Sequence, residues 1–223
     1  MEFSGADLAY TSPVEGADDD GPHVFRACDL TGADFNGAEL AGAVFEGCVL
    51  DHADFRGADL DAARFSGGGG SGIRFGDGEL IDARFTDVDL SAADFANALL
   101  TDVSFTGCRL IGAKLTGCRG HGYRIARSNL MLADLTGCSL RGQVIEGVRL
   151  DEANLSGCDF SKTVFSGSRL GGARMIDTTF TGADLRGADL GEPDDTQLRA
   201  LAGAVISPAQ AAGILAARGL TVL

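Results

Sequence analysis

The chain has 223 residues, enough for one compact or elongated domain, and no stretch approaches the ~18 consecutive apolar residues of a transmembrane helix. Its formal net charge of −14 argues against nucleic acid as a direct ligand and suits a partner with a positively charged groove. Its first eight residues hold two acids and no base, unlike a secretory signal.

Phe3 and Leu8 begin the chain with a short repeat that is out of phase with the series starting at Phe25. The stretch Pro13 to Pro22, with Asp18-Asp19-Asp20 inside it, reads as an acidic loop inserted into a first turn of structure. Residues 1–22 are therefore set apart as an N-terminal segment.

From Phe25 to Leu190 the chain keeps one register. Of the 34 positions divisible by five, 32 are Phe, Leu, Ile or Met, and a period of five suits neither a helix nor a flat strand. Residues i and i+5 lie about 140° apart on a helix and on opposite faces of a strand. A chain that turns a corner every five residues resolves this: each side points its central residue at a common axis, and four sides close a square coil of 20 residues. The residue two before each centre is usually Ala, and all six cysteines (Cys28, Cys48, Cys108, Cys118, Cys138 and Cys158) also sit there. It is read as a second inward position, with the cysteines as free thiols filling it, which points to the cytoplasm. The residue between is often Asp or Asn and faces outward, and Gly two after the centre suits a tight corner.

Grouping centres by 20 gives four columns. Two alternate in a Phe-rich series, Phe25 to Phe105 and Phe35 to Phe95, and two are mostly Leu. Two places break the pattern. Ser66 to Gly72 loses its side chains at positions 68 and 70, and is either a poorly filled coil or a bulging loop. Arg119 to Tyr123 puts Gly at a centre and a bulky Tyr at a normally small position.

The register ends at Leu190, and Glu192-Pro193-Asp194-Asp195 reads as a break. Ser207-Pro208-Ala209-Gln210 then starts a short helix, with Ser as N-cap, Pro in the first turn and Gln closing a capping box; Gly219 suits its C-terminal end. The last coil of a stacked rod has an open edge that needs a cap. Leu198, Leu201, Ile206, Ile214, Leu215 and Leu220 offer more apolar surface than a cap needs, and are expected to form a two-fold dimer contact. The chain thus divides into residues 1–22, a repeat rod over 23–190, and a cap and dimerisation segment over 191–223.

No catalytic constellation is visible. The three histidines are dispersed, no metal-ligand spacing occurs, and no Lys-Ser/Thr succeeds the glycine run as a phosphate loop requires. A filled rod has no pocket for acid–base work, so neither catalysis nor a cofactor or metal is expected. Charge is the remaining lead. Residues 23–100 hold 14 acids and 5 arginines, whereas residues 101–190 hold 9 acids and 11 bases. Arg109, Lys114, Arg119 and Arg124 form a ring on four successive sides. Arg109 lies one coil from Asp89 and Lys114 between Asp94 and Asp134, so cross-strand ion pairs are expected.

The unit A-(D/N)-(L/F)-x-G, as in Ala33-Asp34-Phe35, Ala58-Asp59-Leu60 and Ala153-Asn154-Leu155, resembles that of pentapeptide repeat proteins. This resemblance implies an all-β solenoid, a right-handed quadrilateral β-helix, here with a short C-terminal α-helix. The interrupted first coil and the ending Leu201-Ala202-Gly203-Ala204-Val205 before an Ala-rich helix are similar to the mycobacterial fluoroquinolone-resistance and Qnr-type members. That likeness implies a dimeric rod imitating duplex DNA, bound to DNA gyrase or a related type II topoisomerase, which it modulates or protects from quinolone-like poisons. Asp29, Asp34, Glu39, Asp54, Asp59, Glu79, Asp89 and Asp94 would face the enzyme's basic DNA-binding surface. The mixed charge of residues 101–190 departs from such a mimic, and an interaction scaffold for a different protein partner is the alternative.

Overall fold

A computed structural model describes residues 1–14 and 21–222; the acidic stretch 15–20 of the expected N-terminal loop lies outside the described residues. The described chain is a β-solenoid of about nine turns with four walls. Wall 1 is a ten-stranded parallel sheet in chain order. Its strands are β1 (Glu2–Ser4), β2 (Val24–Arg26), β3 (Val44–Glu46), β4 (Arg64–Ser66), β5 (Arg84–Thr86), β6 (Ser104–Thr106), β7 (Arg124–Ala126), β8 (Val144–Glu146), β9 (Val164–Arg169) and β10 (Asp184–Asp189). Walls 2, 3 and 4 are joined by single parallel bridges in the same 20-residue register, such as Asp29↔Val49, Asp34↔Asp54 and Glu39↔Asp59.

The inward series forms the core. Every Phe from Phe25 to Phe105 is buried, together with the Leu, Ile and Ala positions of the register. Along walls 1 and 3 the rings stack one coil apart, with centroids 4.6 to 5.2 Å apart and planes within 12°. Walls 1 and 3 face each other, and their rings meet edge to face at 5.4 to 6.0 Å. Both geometries suit the ring quadrupole, and burying each ring contributes on the order of 2–3 kcal/mol. After Phe105 the column continues with Ile125 and Ile145, and Phe returns at Phe160, Phe165 and Phe180.

The opening repeat is the first coil. Phe3 pairs with Phe25 and Asp7 with Asp29, an offset of 22 rather than 20, so the insertion lengthens this coil without displacing its register on the stack.

Both irregular spots stay inside the solenoid. Gly69 is bridged to Val49 and Asp89; its N–H bonds to the Cys48 carbonyl at 2.8 Å, and the Gly70 N–H to that of Asp89 at 2.9 Å. The segment is therefore a coil and not a loop. A Cβ on Gly68, Gly69 or Gly70 would collide with the backbone of an adjacent coil, and Gly68 and Gly69 have φ of +65° and +103°. Here the backbone itself occupies the space that side chains fill elsewhere. At the second spot Tyr123 is buried near Cys118, Cys138 and Cys158, and a Cβ on Gly120 would meet Thr101 of the preceding coil.

All six cysteines are free, and five are buried. Five of the thiols donate to the carbonyl of a centre residue 23 positions earlier, as Cys48 does to Phe25 at 3.3 Å and Cys158 to Leu135 at 3.0 Å. Thr163, Ser168 and Thr178 use the same geometry. The cysteines are thus small donors as well as fillers. Burial pushes the thiols of Cys118 and Cys158 up to about 12 and that of Cys138 to about 11, so they stay protonated at neutral pH.

Two helices succeed the last coil. The first, α1 (Asp195–Ala200), is one more than expected: Asp194, read as part of a break, is its N-cap and forms a capping box with Gln197. Beyond it Val205 bridges Asp184 and lays a further rung on wall 1. The second, α2 (Pro208–Ala216), has Ser207 as N-cap with Gln210 closing the box, as the sequence predicts. Both glutamines also reach the open edge: Gln197 Nε2 donates to the Ala173 carbonyl, and Gln210 Nε2 to those of Leu185 and Ala188.

Candidate protein-interaction surface

With the interior filled, only the outer walls are free to act. Among the described residues no helix is long and apolar enough to cross a membrane, and no group of three or more His, Cys, Asp or Glu could hold a metal ion.

The aspartate before each centre has a structural task. In Asp29, Asp34, Asp59, Asp89 and Asp94, Oδ1 accepts the N–H of the residue two on, at 2.9 to 3.0 Å, which holds the corner. Asn129 and Asn154 do the same without charge. These hydrogen bonds favour the ionised form; the Thr31 bonds hold Asp29 below the usual carboxylate range. Glu39 and Glu79 occupy the same register position, but neither makes this bond among the described residues, and both are exposed.

This use of the aspartates overturns the expected ion-pair ring. The register is as predicted, with Asp89 opposite Arg109 and Lys114 between Asp94 and Asp134. Yet among the described residues none of these pairs forms an ion pair: Asp89 and Asp94 fold back onto Ser91 and Ala96, and Asp134 bonds Thr136 and, across to the next coil, Asn154 instead of Lys114. Actual pairing concentrates elsewhere: Asp54 with Arg56 and Arg74, Asp151 with Arg149 and Arg169, Asp159 with Arg141, Asp184 with Arg186, and Asp189 with Arg169.

The eight acids expected to meet a partner therefore differ. Asp29, Asp34, Glu39 and Glu79 are exposed, and Asp59, Asp89 and Asp94 are half-buried. Asp54 is 6 % exposed and lies under two guanidinium groups, Arg56 at 2.7 Å and Arg74 at 2.9 Å. Burial alone would raise its pKa, but the hydrogen bonds and charges of the two arginines hold it low, and its charge is neutralised locally. Of the 14 acids in residues 23–100 only Glu46 and Asp54 form ion pairs among the described residues, which leaves that half of the rod strongly negative. The least compensated face is wall 4, where Glu39, Asp59 and Glu79 stack in register with no cation until Arg119. Asp61, one residue after a centre, and Asp82 and Asp102, two after, extend it at the next corner; the latter two occupy a position that reads as Gly, although Asp tolerates the φ of +56° found at both.

At the C-terminal end, Leu201 is 9 % exposed and Leu198 and Ile206 pack on the core, roofing the last coil. Ile214 is half-buried, and Leu215 and Leu220 are 39 % and 57 % exposed.

The family of pentapeptide repeats described as eight copies matches residues 28–67 and again residues 80–119, and the one described as nine copies matches residues 145–189. Together these cover more than half of the chain. The chain belongs to the pentapeptide repeat family. The unmatched gaps in this pentapeptide repeat protein fall on the glycine run and on the Gly120–Tyr123 irregularity, where the motif is lost but the coil is not. Among solved structures, full-length QnrB1, a plasmid-mediated fluoroquinolone resistance protein, is similar with a TM-score of 0.58 and 23 % identity, over 99 % of this chain and 100 % of that one. A trypsin-treated QnrB1 is similar at 0.50 and 23 %, over 100 % and 99 %. HetL, involved in heterocyst differentiation regulation in the cyanobacterium Nostoc, is similar at 0.41 and 22 %, over 84 % and 86 %. The two QnrB1 likenesses are of fold. No curated protein matches the sequence.

Proposed function

We propose that this pentapeptide repeat protein is a DNA mimic, not an enzyme, that binds DNA gyrase or a related type II topoisomerase in the cytoplasm and modulates it or protects it from quinolone-like or other poisons. The observation that carries the reading is the uncompensated carboxylate column Glu39, Asp59 and Glu79 on wall 4. Residues 23–100 hold 14 acids against 5 arginines, a net −9, over about four coils, or roughly 19 Å. That is about one charge per 2 Å, near the one per ~1.7 Å of duplex DNA. The fold likeness to a fluoroquinolone resistance protein makes gyrase the first target to test. A homodimer through Ile214, Leu215 and Leu220 belongs to the same proposal.

The test is a titration against gyrase supercoiling, with and without a quinolone. Inhibition or drug protection in the micromolar range is expected. Neither effect up to tens of micromolar rules the reading out. A second reading, a scaffold for a non-topoisomerase protein, is favoured by residues 101–190, whose 9 acids and 11 bases do not resemble DNA. A pull-down from host lysate that enriches another protein and lacks gyrase subunits would select it.

A further inference from the structure

Wall 1 of the acidic half carries the opposite sign. Arg64 and Arg84 stand side by side across β4 and β5, and Arg124 comes two coils on, past Ser104. All three are exposed, and among the described residues none forms an ion pair or a side-chain hydrogen bond. Their outward neighbours on β4 and β5 are the small Ser66 and Thr86, so the guanidinium groups rise from a flat sheet. The corner between carries Asp61 and Asp82, which form no ion pair with these arginines, and wall 4 beyond it presents Glu39, Asp59 and Glu79. Two adjacent walls of the same coils are thus unneutralised and of opposite charge.

Duplex DNA is negative on every side, so a groove made for DNA accepts a uniformly acidic rod in any rotation about its axis. This rod is not uniform. We propose that Arg64 and Arg84 form a second recognition surface, which seats against an acidic wall bordering the basic groove that receives wall 4. The pair fixes the rotational setting of the rod, and like-charge contact excludes the other settings. A polyanion is the less suitable occupant, because the wall 4 carboxylates stand one corner away and the whole chain carries −14. The inference rests on the gyrase reading and adds a surface of opposite sign to it.

The sign of one mutational effect separates the two. Binding of the full chain to gyrase holoenzyme is measured for wild type, Arg64→Glu/Arg84→Glu, Arg64→Gln/Arg84→Gln and Glu39→Gln/Glu79→Gln. The Arg→Glu pair makes the chain four charges more negative, which would tighten binding by a uniform mimic. The rotational model expects it to weaken binding about tenfold or more, with a smaller loss for the Arg→Gln pair. Melting temperatures should stay close to wild type, since the arginines have no partner to lose. Unchanged or tighter binding by the Arg→Glu pair overturns this inference and leaves the gyrase reading intact. Wild type that does not bind gyrase removes both. Capture of a short DNA duplex by wild type in the absence of gyrase, lost in the Arg→Glu pair, assigns the wall to nucleic acid and also overturns the inference.

Discussion

An aspartate before a wall centre offers two oxygens, and the corner uses one. Asn can supply the same acceptor, so charge at these positions is separable from the turn. Asp54 tests this, because it combines the corner bond to Arg56 N–H at 3.1 Å with two guanidinium contacts. Asp54, Asp134, Asp159 and Asp184 all ionise more readily folded than unfolded. Their stabilisation is complete above the unfolded aspartate value of about 4 and is lost as pH falls through the folded values, about 2 for Asp184. The melting temperature should be level from about pH 7 to 5 and fall below about pH 4. Asp54→Asn should keep the corner, lower stability at neutral pH by about 1–2 kcal/mol, and make the acid fall shallower; circular dichroism melts across pH check both. At Tyr123 the opposite applies. Among the described residues its buried hydroxyl meets no hydrogen-bonding group other than the weakly interacting Cys138 thiol, so Tyr123→Phe should leave stability unchanged or raise it by about 1 kcal/mol, read by chemical denaturation.

At the scale of coils and helices, the ends decide whether a stack of otherwise equivalent turns is closed. Gln210 satisfies two edge carbonyls and the N-cap of α2 with one side chain, donating from Nε2 and accepting the Ser207 N–H at Oε1. Gln210→Ala should cost about 1–3 kcal/mol and loosen the final coil first, so that hydrogen exchange at Leu185 to Leu190 accelerates while that at Phe75 does not. The walls were legible in the sequence because burial imposes the Phe/Leu period directly. Less was legible where the cause is backbone placement. Gly68 and Gly70 announce a missing side chain but not that the chain moves into the space. Asp194-x-x-Gln197 carried the capping signal of α1, yet was masked by the preceding Glu192-Pro193. The acidic wall was legible as composition, but which carboxylates are neutralised depends on competition between the adjacent backbone N–H and the next coil's arginine. Spacing by itself does not resolve that competition.

For the whole molecule, the division of labour along the rod comes from where its apolar and acidic surfaces lie. Leu198, Leu201 and Ile206 are used within the chain, so a second copy could bury only Ile214, Leu215, Leu220 and the exposed neighbours Val205 and Val222. A two-fold contact there would put the mixed-charge halves at the centre and the two acidic halves at the far ends, roughly 40 Å from the contact at about 4.8 Å per coil. Each end would then present one copy of the wall 4 carboxylates, and binding by both ends would multiply affinity through effective concentration. Leu215→Asp places a charge in that contact without touching the roof of the last coil. It should convert the dimer to a monomer by light scattering while leaving the melting curve close to wild type. Against gyrase the monomer should retain single-end binding but lose about tenfold or more in apparent affinity. A wild-type chain that already runs as a monomer would remove the two-ended arrangement and leave the acidic wall as a single-site contact.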